Sequence, residues 1–403
     1  MISVAEAINQ VLRETAPLPA EAIPLRAARG RVLAEDIIAD SDLPPFDRSQ
    51  MDGYAIRAAD VAAVPATLKI VGESAAGRGW HNQMNAGEAV RIMTGAPVPS
   101  GADSVQQVEL TREISHRAEV EILQTLSTGR SIVRRGSEIK ANQQVITSGE
   151  RISTAMMAVL ASFGCAKVKV SRQPRVAVLA TGSELVSVEQ KPGRDQIRDS
   201  NNLTISAYAE MAGAIVEHLP LAGDDSDLLK RQITESAQRS DVVITSGGVS
   251  VGAYDFTKPA LKELGAELFF ERVALRPGKP TVFARLPNGA LFFGLPGNPV
   301  SVSVTFSLFA RAAILGMQST KETALAEDSA VLASGVKGAL ERDSYLPALL
   351  TTDSSGALLA TALKWGGSSD FVGFVRATAL IVVPRNTAEI EAGTIVRIVH
   401  LPQ

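Results

Sequence analysis

Cysteine is almost absent from this 403-residue chain. Cys165 stands alone, which excludes an intrachain disulfide framework and leaves no thiolate set for zinc. Histidine is nearly as scarce, and His81, His116, His218 and His400 are scattered without ligand spacing. Neither sign of charge is in surplus. Forty Lys plus Arg against 43 Asp plus Glu leave a net charge of -3, with no overall pull toward nucleic acid or an acidic membrane. The N-terminus lacks the basic start and apolar centre of a secretory leader. It reads instead as an amphipathic helix, with Val4, Ala7, Ile8, Val11 and Leu12 at helical spacing. The most membrane-like stretch, Val300 to Met317, is interrupted by Ser301, Ser303, Thr305, Ser307 and Arg311 and reads as a buried helix. The expectation is a cytoplasmic protein with no membrane and no nucleic-acid partner.

What is present is a well-filled globular chain, 45% hydrophobic and 21% charged, too long for one ordinary core. Residues 1–42 look helical and then extended, ending in the rigid run Leu43-Pro44-Pro45-Phe46-Asp47. Residues 43–138 carry short β-like segments, ATLKIVGES, EAVRIMTG, SVQQVEL and AEVEILQ, punctuated by Gly and Pro. A helix from Thr154 to Phe163 and the strand KVKV follow, and residues 139–172 are expected to fold back on the first segment. That makes the β region an insertion. From 173 to 320 strands alternate with helices, which implies a mostly parallel sheet with helices on both faces. Residues 325–403 return to short strands and suggest a small C-terminal β domain.

Ligands of open α/β sheets bind beyond the carboxyl ends of the strands. Here those positions carry Thr181-Gly182-Ser183-Glu184, Asp224-Asp225, Ser246-Gly247-Gly248-Val249-Ser250 with Asp255 beyond, and Leu295-Pro296-Gly297-Asn298-Pro299-Val300-Ser301. Glycine admits close approach to a ligand, turned N–H groups form an anion nest, and a helix N-terminus adds positive potential. Arg272, Arg276 and Lys279 are candidate counter-charges for an oxyanion. Glu184, Asp224 and Asp255 are candidates to hold Mg²⁺ or position water. Each loop has a plainer reading: Ser-Gly-Gly as a turn, one of Asp224 and Asp225 as a helix cap. Gly278-Lys279 is not a Walker loop, since the upstream glycine is missing and Pro280 follows. The joint occurrence of several such loops on one sheet favours a phosphate-bearing ligand. A second concentration lies in the β region, in Asp47-Arg48-Ser49-Gln50-Met51-Asp52-Gly53, Arg91 to Pro99 and Arg134-Arg135-Gly136-Ser137-Glu138.

The phrases PPFDRSQMDGYAIR, RIMTGAPVPSGAD, VRRGSEI, ATGSEL, SDVVITSGGVSVGAYD, RPGKPTVFA and LFFGLPGNPVSV occur in that order between Pro44 and Val302. Together they closely resemble the molybdopterin molybdenumtransferases, molybdenum insertases that include the E domain of gephyrin. The resemblance implies cleavage of adenylylated molybdopterin and insertion of molybdate into the dithiolene, giving molybdenum cofactor and AMP. It implies Asp224, Asp255 and Glu184 as catalytic carboxylates, the two aspartates with Mg²⁺. Ser246, Gly247, Gly248 and Ser250 would cradle phosphate or pterin. Arg272, Arg276, Lys279, Pro296, Asn298, Pro299 and Ser301 would shape the oxyanion pocket, with Arg342 and Ser369 from the C-terminal domain. Asp52, Thr94 and Glu138 would close the cleft from the other subunit of a homodimer built on residues 1–42 and 139–172. The molybdopterin adenylyltransferase is the partner protein it suggests. This chain has Gly136-Ser137-Glu138 where the family often has Gly-Glu-Asp, and Pro347 where an arginine is frequent. Two other readings compete. One is molybdopterin adenylylation, against which the extra N-terminal residues argue. The other is a non-catalytic scaffold or cofactor carrier, against which Glu184, Asp224, Asp255 and Lys279 argue.

Overall fold

Alternate residues of the strand Arg175–Ala180 enter two different cores, as expected where a sheet is covered on both faces. Val176 and Val178 pack with the helices Val4–Glu14, Asn201–Met211 and Pro299–Met317. Ala177 and Leu179 pack with Ser226–Ala237 and Thr257–Glu263 on the opposite side. The computed structural model describes residues 1–223, 225–249 and 256–402. They fall into two compact units: Met1–Glu35, Ser148–Met157 and Ala166–Gln403 in one, Asp36–Thr147 and Ala158–Cys165 in the other.

The central sheet of the first unit has the order Ile215–His218, Arg175–Ala180, Val242–Ser246, Leu291–Leu295, Val282–Arg285, Glu267–Phe270. All strands run one way except Val282–Arg285, which is antiparallel to both its neighbours. That reversal has a consequence for the site. The loop at residues 276–281, which precedes this strand, opens at the edge where the other strands end.

Local sequence explains the helix starts. Ser3 and Glu6 form a reciprocal capping box for Val4–Glu14. Asp225 caps Ser226–Ala237 by accepting from the N–H groups of Asp227 and Leu228, at 2.9 and 3.0 Å. Pro299 takes the first turn of the last long helix, where its missing N–H costs nothing. Pro299–Met317 is long and apolar enough to cross a membrane, yet 89% of it is buried in the protein. It is the core helix against which the sheet packs.

The strand Ala20–Pro24 pairs antiparallel with Lys167–Ser171. The C-terminal strands close into a ring: Asp343–Thr352, Leu358–Ala362, Glu327–Leu332, Ile395–His400 and Ala379–Val383, the last pairing back to the first. Closure removes open sheet edges. Leu275–Arg276 adds to this ring beside Asp343 and Ser344, so the segment leading into the 276–281 loop is pinned to it. The second unit carries its own six-stranded sheet, ordered Ser104–Gln107, Gly53–Ile56, Glu88–Ile92, Ala66–Ser74, Glu119–Ile122, Thr111–Ile114. The expected strands and helices of these regions are present, with breaks in two strands: ELFFERVAL divides into Glu267–Phe270 and Leu275–Arg276, and SVQQVEL is strand only over Ser104–Gln107 before a short helical turn at Val108–Leu110.

Phe283 sits at the centre of the larger core, fully buried and stacked on Phe293 at 4.8 Å, with Phe269 and Phe270 beside it. Phe283→Ala is expected to cost about 3–5 kcal/mol, from lost burial and the cavity left behind. The shift of the denaturant unfolding midpoint measures it.

Candidate functional site

Three loops at the carboxyl edge of the central sheet are tied to one another through backbone bonds. Thr181 donates its N–H to the Ser246 carbonyl at 2.9 Å, and Gly247 donates to the Leu295 carbonyl at 3.1 Å. Gly247 has φ +90°, and a Cβ there would lie 2.5 Å from the Thr181 carbonyl oxygen. Gly248 is also left-handed, at φ +62°, and its carbonyl accepts from Thr257 N–H. Only glycine satisfies both the backbone angle and the close approach at 247.

These loops open a cleft of about 1180 Å³ within the first unit. Thr181, Glu184, Ser246, Gly247 and Gly248 line one part of it, and Pro296, Asn298 and Pro299 another. Ser369 and Phe371 from the C-terminal domain complete the wall. The Glu184 carboxylate folds against Gly182, in the space a Cβ would fill. Asn298 donates through Nδ2 to the Ser368 hydroxyl at 2.7 Å, and Val300 N–H donates to the Ser368 carbonyl at 3.0 Å. Those bonds place Ser369 at the cleft. Among the described residues Ser246 Oγ is buried without a partner, as is Oδ1 of Asn201. Such groups cost roughly 1–3 kcal/mol when left unpaired.

The basic residues are distributed differently. Arg272, Arg276 and Lys279 reach the same edge of the sheet but do not line the cleft, where Pro280 does. Arg276 donates to the Gly338 carbonyl, at 3.4 Å, while Lys279 is exposed. Arg342 immediately precedes Asp343, which pairs with Leu275, and does not line the cleft. Ser301 is buried in the helix behind the Pro296 loop. Asp224, Ser250 and Asp255 lie outside the described residues. Among the described residues no cluster of three metal-ligating side chains occurs.

Several lining residues were not assigned to the site from sequence, among them Arg198, Asp199, Asn201 and Phe371. Asn201 donates from Nδ2 to the Gly297 carbonyl at 2.7 Å. Because that carbonyl only accepts, the amide orientation is fixed by the bond itself. Asp199 Oδ1 accepts from Asn202 N–H at 3.1 Å, at the start of Asn201–Met211. This spacing is that of a cap, and it was the one local signal available. Phe371 had none.

In the second unit Asp52 Oδ1 accepts from both the N–H and the hydroxyl of Thr94, at 2.6 and 2.8 Å. These bonds, the backbone one foremost, hold the Asp52 carboxyl below its ordinary value. Glu138 accepts from Arg48 Nη2 at 3.1 Å. Neighbouring Ser49 exchanges backbone bonds with Gly95 and Ala96, so Asp52, Thr94 and Glu138 belong to one neighbourhood. The basic pair Arg134 and Arg135 is occupied locally, Arg134 by Asp47 and Arg135 by Asp42, each at 2.6 Å.

Comparison with known proteins follows this architecture along the chain. Residues 2–164 match the MoeA N-terminal region (domain I and II), 177–316 the probable molybdopterin binding domain, and 329–401 the MoeA C-terminal region (domain IV). The molybdopterin molybdenumtransferase of Bacillus subtilis is 35% identical over 405 residues, covering 98% of this chain and 93% of its own. The chain belongs to the molybdopterin molybdenumtransferase family. The Haemophilus influenzae member is 34% identical, covering 99% of this chain and 98% of its own. Among solved structures, a molybdopterin biosynthesis MoeA protein from Pyrococcus horikoshii aligns with a TM-score of 0.83 at 30% identity, covering both chains fully.

Two outcomes are expected. Gly247→Ala strains the backbone and drives a methyl group onto Thr181, lowering stability by about 1–3 kcal/mol in unfolding measurements. Thr94→Val raises the Asp52 pKa toward its ordinary 3.8, readable by NMR titration of the carboxyl carbon. Because the folded pKa is depressed, the associated stability is present above the ordinary value and is lost as pH falls through the folded one.

Proposed function

We propose that this protein carries out the final insertion step of molybdenum cofactor assembly. It cleaves adenylylated molybdopterin to release AMP and inserts molybdate into the dithiolene. The observation that carries this reading is the cleft itself. The cleft runs along the adjacent Ser246-Gly247-Gly248 turn and Pro296-Gly297-Asn298 loop and has room for an extended ligand, in a chain related over its full length to transferases of this name. The Ser246 hydroxyl, without a partner among the described residues, and the Gly248 N–H are the donors assigned to phosphate oxygens. Glu184 holds or positions the reacting water at the phosphoanhydride, together with Asp224 and Asp255. Water adds to phosphorus, AMP separates, and molybdopterin is freed. The two dithiol sulfurs then bond to molybdenum as one oxo ligand of molybdate leaves as water with the two thiol protons.

The donor chemistry of the cleft suits Mg²⁺, since Glu184 and Asp199 bring hard carboxylate oxygens to its wall. Mg²⁺ bound there would neutralise charge on the phosphoanhydride. Arg272, Arg276, Lys279, Ser301 and Arg342 form an oxyanion approach beside the cleft, with Ser369 at its rim. Asp52, Thr94 and Glu138 serve a cleft of the partner subunit in a homodimer, formed through residues 1–42 and 139–172. The 43–138 β domain, the 173–320 α/β domain and the 325–403 β domain are the remaining working parts. The setting is the cytoplasm, where the upstream adenylyltransferase hands over its product.

The test is AMP release from adenylylated molybdopterin with Mg²⁺, with and without molybdate, followed by assay of the cofactor. Wild type is expected to release AMP and form cofactor, and Glu184→Gln to lower the rate at least about tenfold. Formation of the adenylate from molybdopterin and ATP, with no AMP release, would assign the preceding step instead.

A further inference from the structure

The cleft proposed for a polyanionic substrate is poor in positive charge. Among the described residues Arg198 is the one basic side chain that lines it, while Glu184 and Asp199 contribute carboxylates. A phosphate entering this space without a counter-cation would meet repulsion in a partly desolvated setting. Arg272, Arg276 and Lys279 stand outside the lining.

Arg198 is also held in place. Its backbone belongs to the short parallel pairing of Ile197–Arg198 with Leu185–Val186, fastened on either side by Ile197 N–H to Glu184 carbonyl and Asp199 N–H to Val186 carbonyl. Its Nε donates to the Gln190 carbonyl at 3.0 Å. Among the described residues neither terminal nitrogen takes a hydrogen bond or ion pair. A guanidinium anchored at Nε keeps its two Nη groups as a fork, the geometry that binds a phosphate through two parallel hydrogen bonds. The anchor reduces the rotamer freedom lost when the ligand arrives.

We infer that Arg198 is a phosphate ligand of the cleft: it takes the phosphate of the nucleotide half of the substrate and gives the site its preference for a phosphorylated nucleotide over the nucleoside. This rests on the functional reading above. The Ser246-Gly247-Gly248 turn lines the same cleft and brings neutral groups, and Arg198 supplies the charge. Two phosphate-like oxyanions are at hand, the nucleotide phosphate and molybdate, and the inference commits to the first.

Calorimetric titration of the full-length protein with AMP, adenosine and molybdate, in Mg²⁺ buffer, tests it. Arg198→Ala is expected to weaken AMP binding about ten- to a hundredfold, the range for lost charge-assisted hydrogen bonds. Adenosine and molybdate binding should stay as in wild type, and Arg198→Lys should fall between, since it keeps the charge without the fork. The exposed position of Arg198 makes a folding defect unexpected, and thermal melting of each variant checks this. Wild-type AMP affinity in Arg198→Ala overturns the inference, as does an equal loss for AMP and adenosine or a loss confined to molybdate. If wild type binds neither AMP nor adenylylated molybdopterin, the functional reading itself falls, and the inference with it.

Discussion

The site depends on backbone hydrogen bonds between the ends of neighbouring parallel strands. Val242–Ser246 lies between Arg175–Ala180 and Leu291–Leu295 in unbroken register, so the three chains leave the sheet at the same level. Thr181 then bonds to Ser246, and Gly247 to Leu295. A residue with a side chain at 247 would break this convergence, because the Thr181 carbonyl occupies the space. The two cores that grip alternate faces of these strands hold the register, since a one-residue slip would exchange their side chains. Packing far from the cleft thus controls its shape.

Around that convergence the polar groups are unevenly satisfied. Asn298, Ser368 and Asn201 bond to one another's loops and stiffen the far wall. Among the described residues Ser246 Oγ and Asn201 Oδ1 lack partners. A protein interior rarely leaves such groups unpaired, and functional sites are where it does. The second unit shows the opposite economy. Its arginines and aspartates are matched to each other, Arg134 to Asp47 and Arg135 to Asp42. Exposed pairs of this kind add little stability, but they fix the loops that carry Asp52 and Glu138.

Much of this was legible in the amino-acid order, for local reasons. Apolar runs of strand length, helical periodicity, and Gly or Pro punctuation are properties of neighbouring residues. They yielded the alternating α/β region, the inserted β region, the C-terminal strands and the loops after Ala180, Ser246 and Leu295. Asp225 as a helix cap and Pro299 at a helix start were equally local. Arg272, Arg276 and Lys279, by contrast, were grouped with the pocket on charge and proximity in sequence, and the fold leaves them beside it.

The sequence by itself determined the element types, the positions of the turns and the family to which the chain belongs. Only the tertiary structure decided that Val282–Arg285 runs against its neighbours, and so that Pro280 lines the same cleft as Gly247. It also decided that Arg198, Asp199, Asn201 and Phe371 line the same cleft. The reason is physical. Strand direction and cleft membership depend on pairing and packing between segments distant along the chain, and no local propensity encodes which distant partner a side chain will meet.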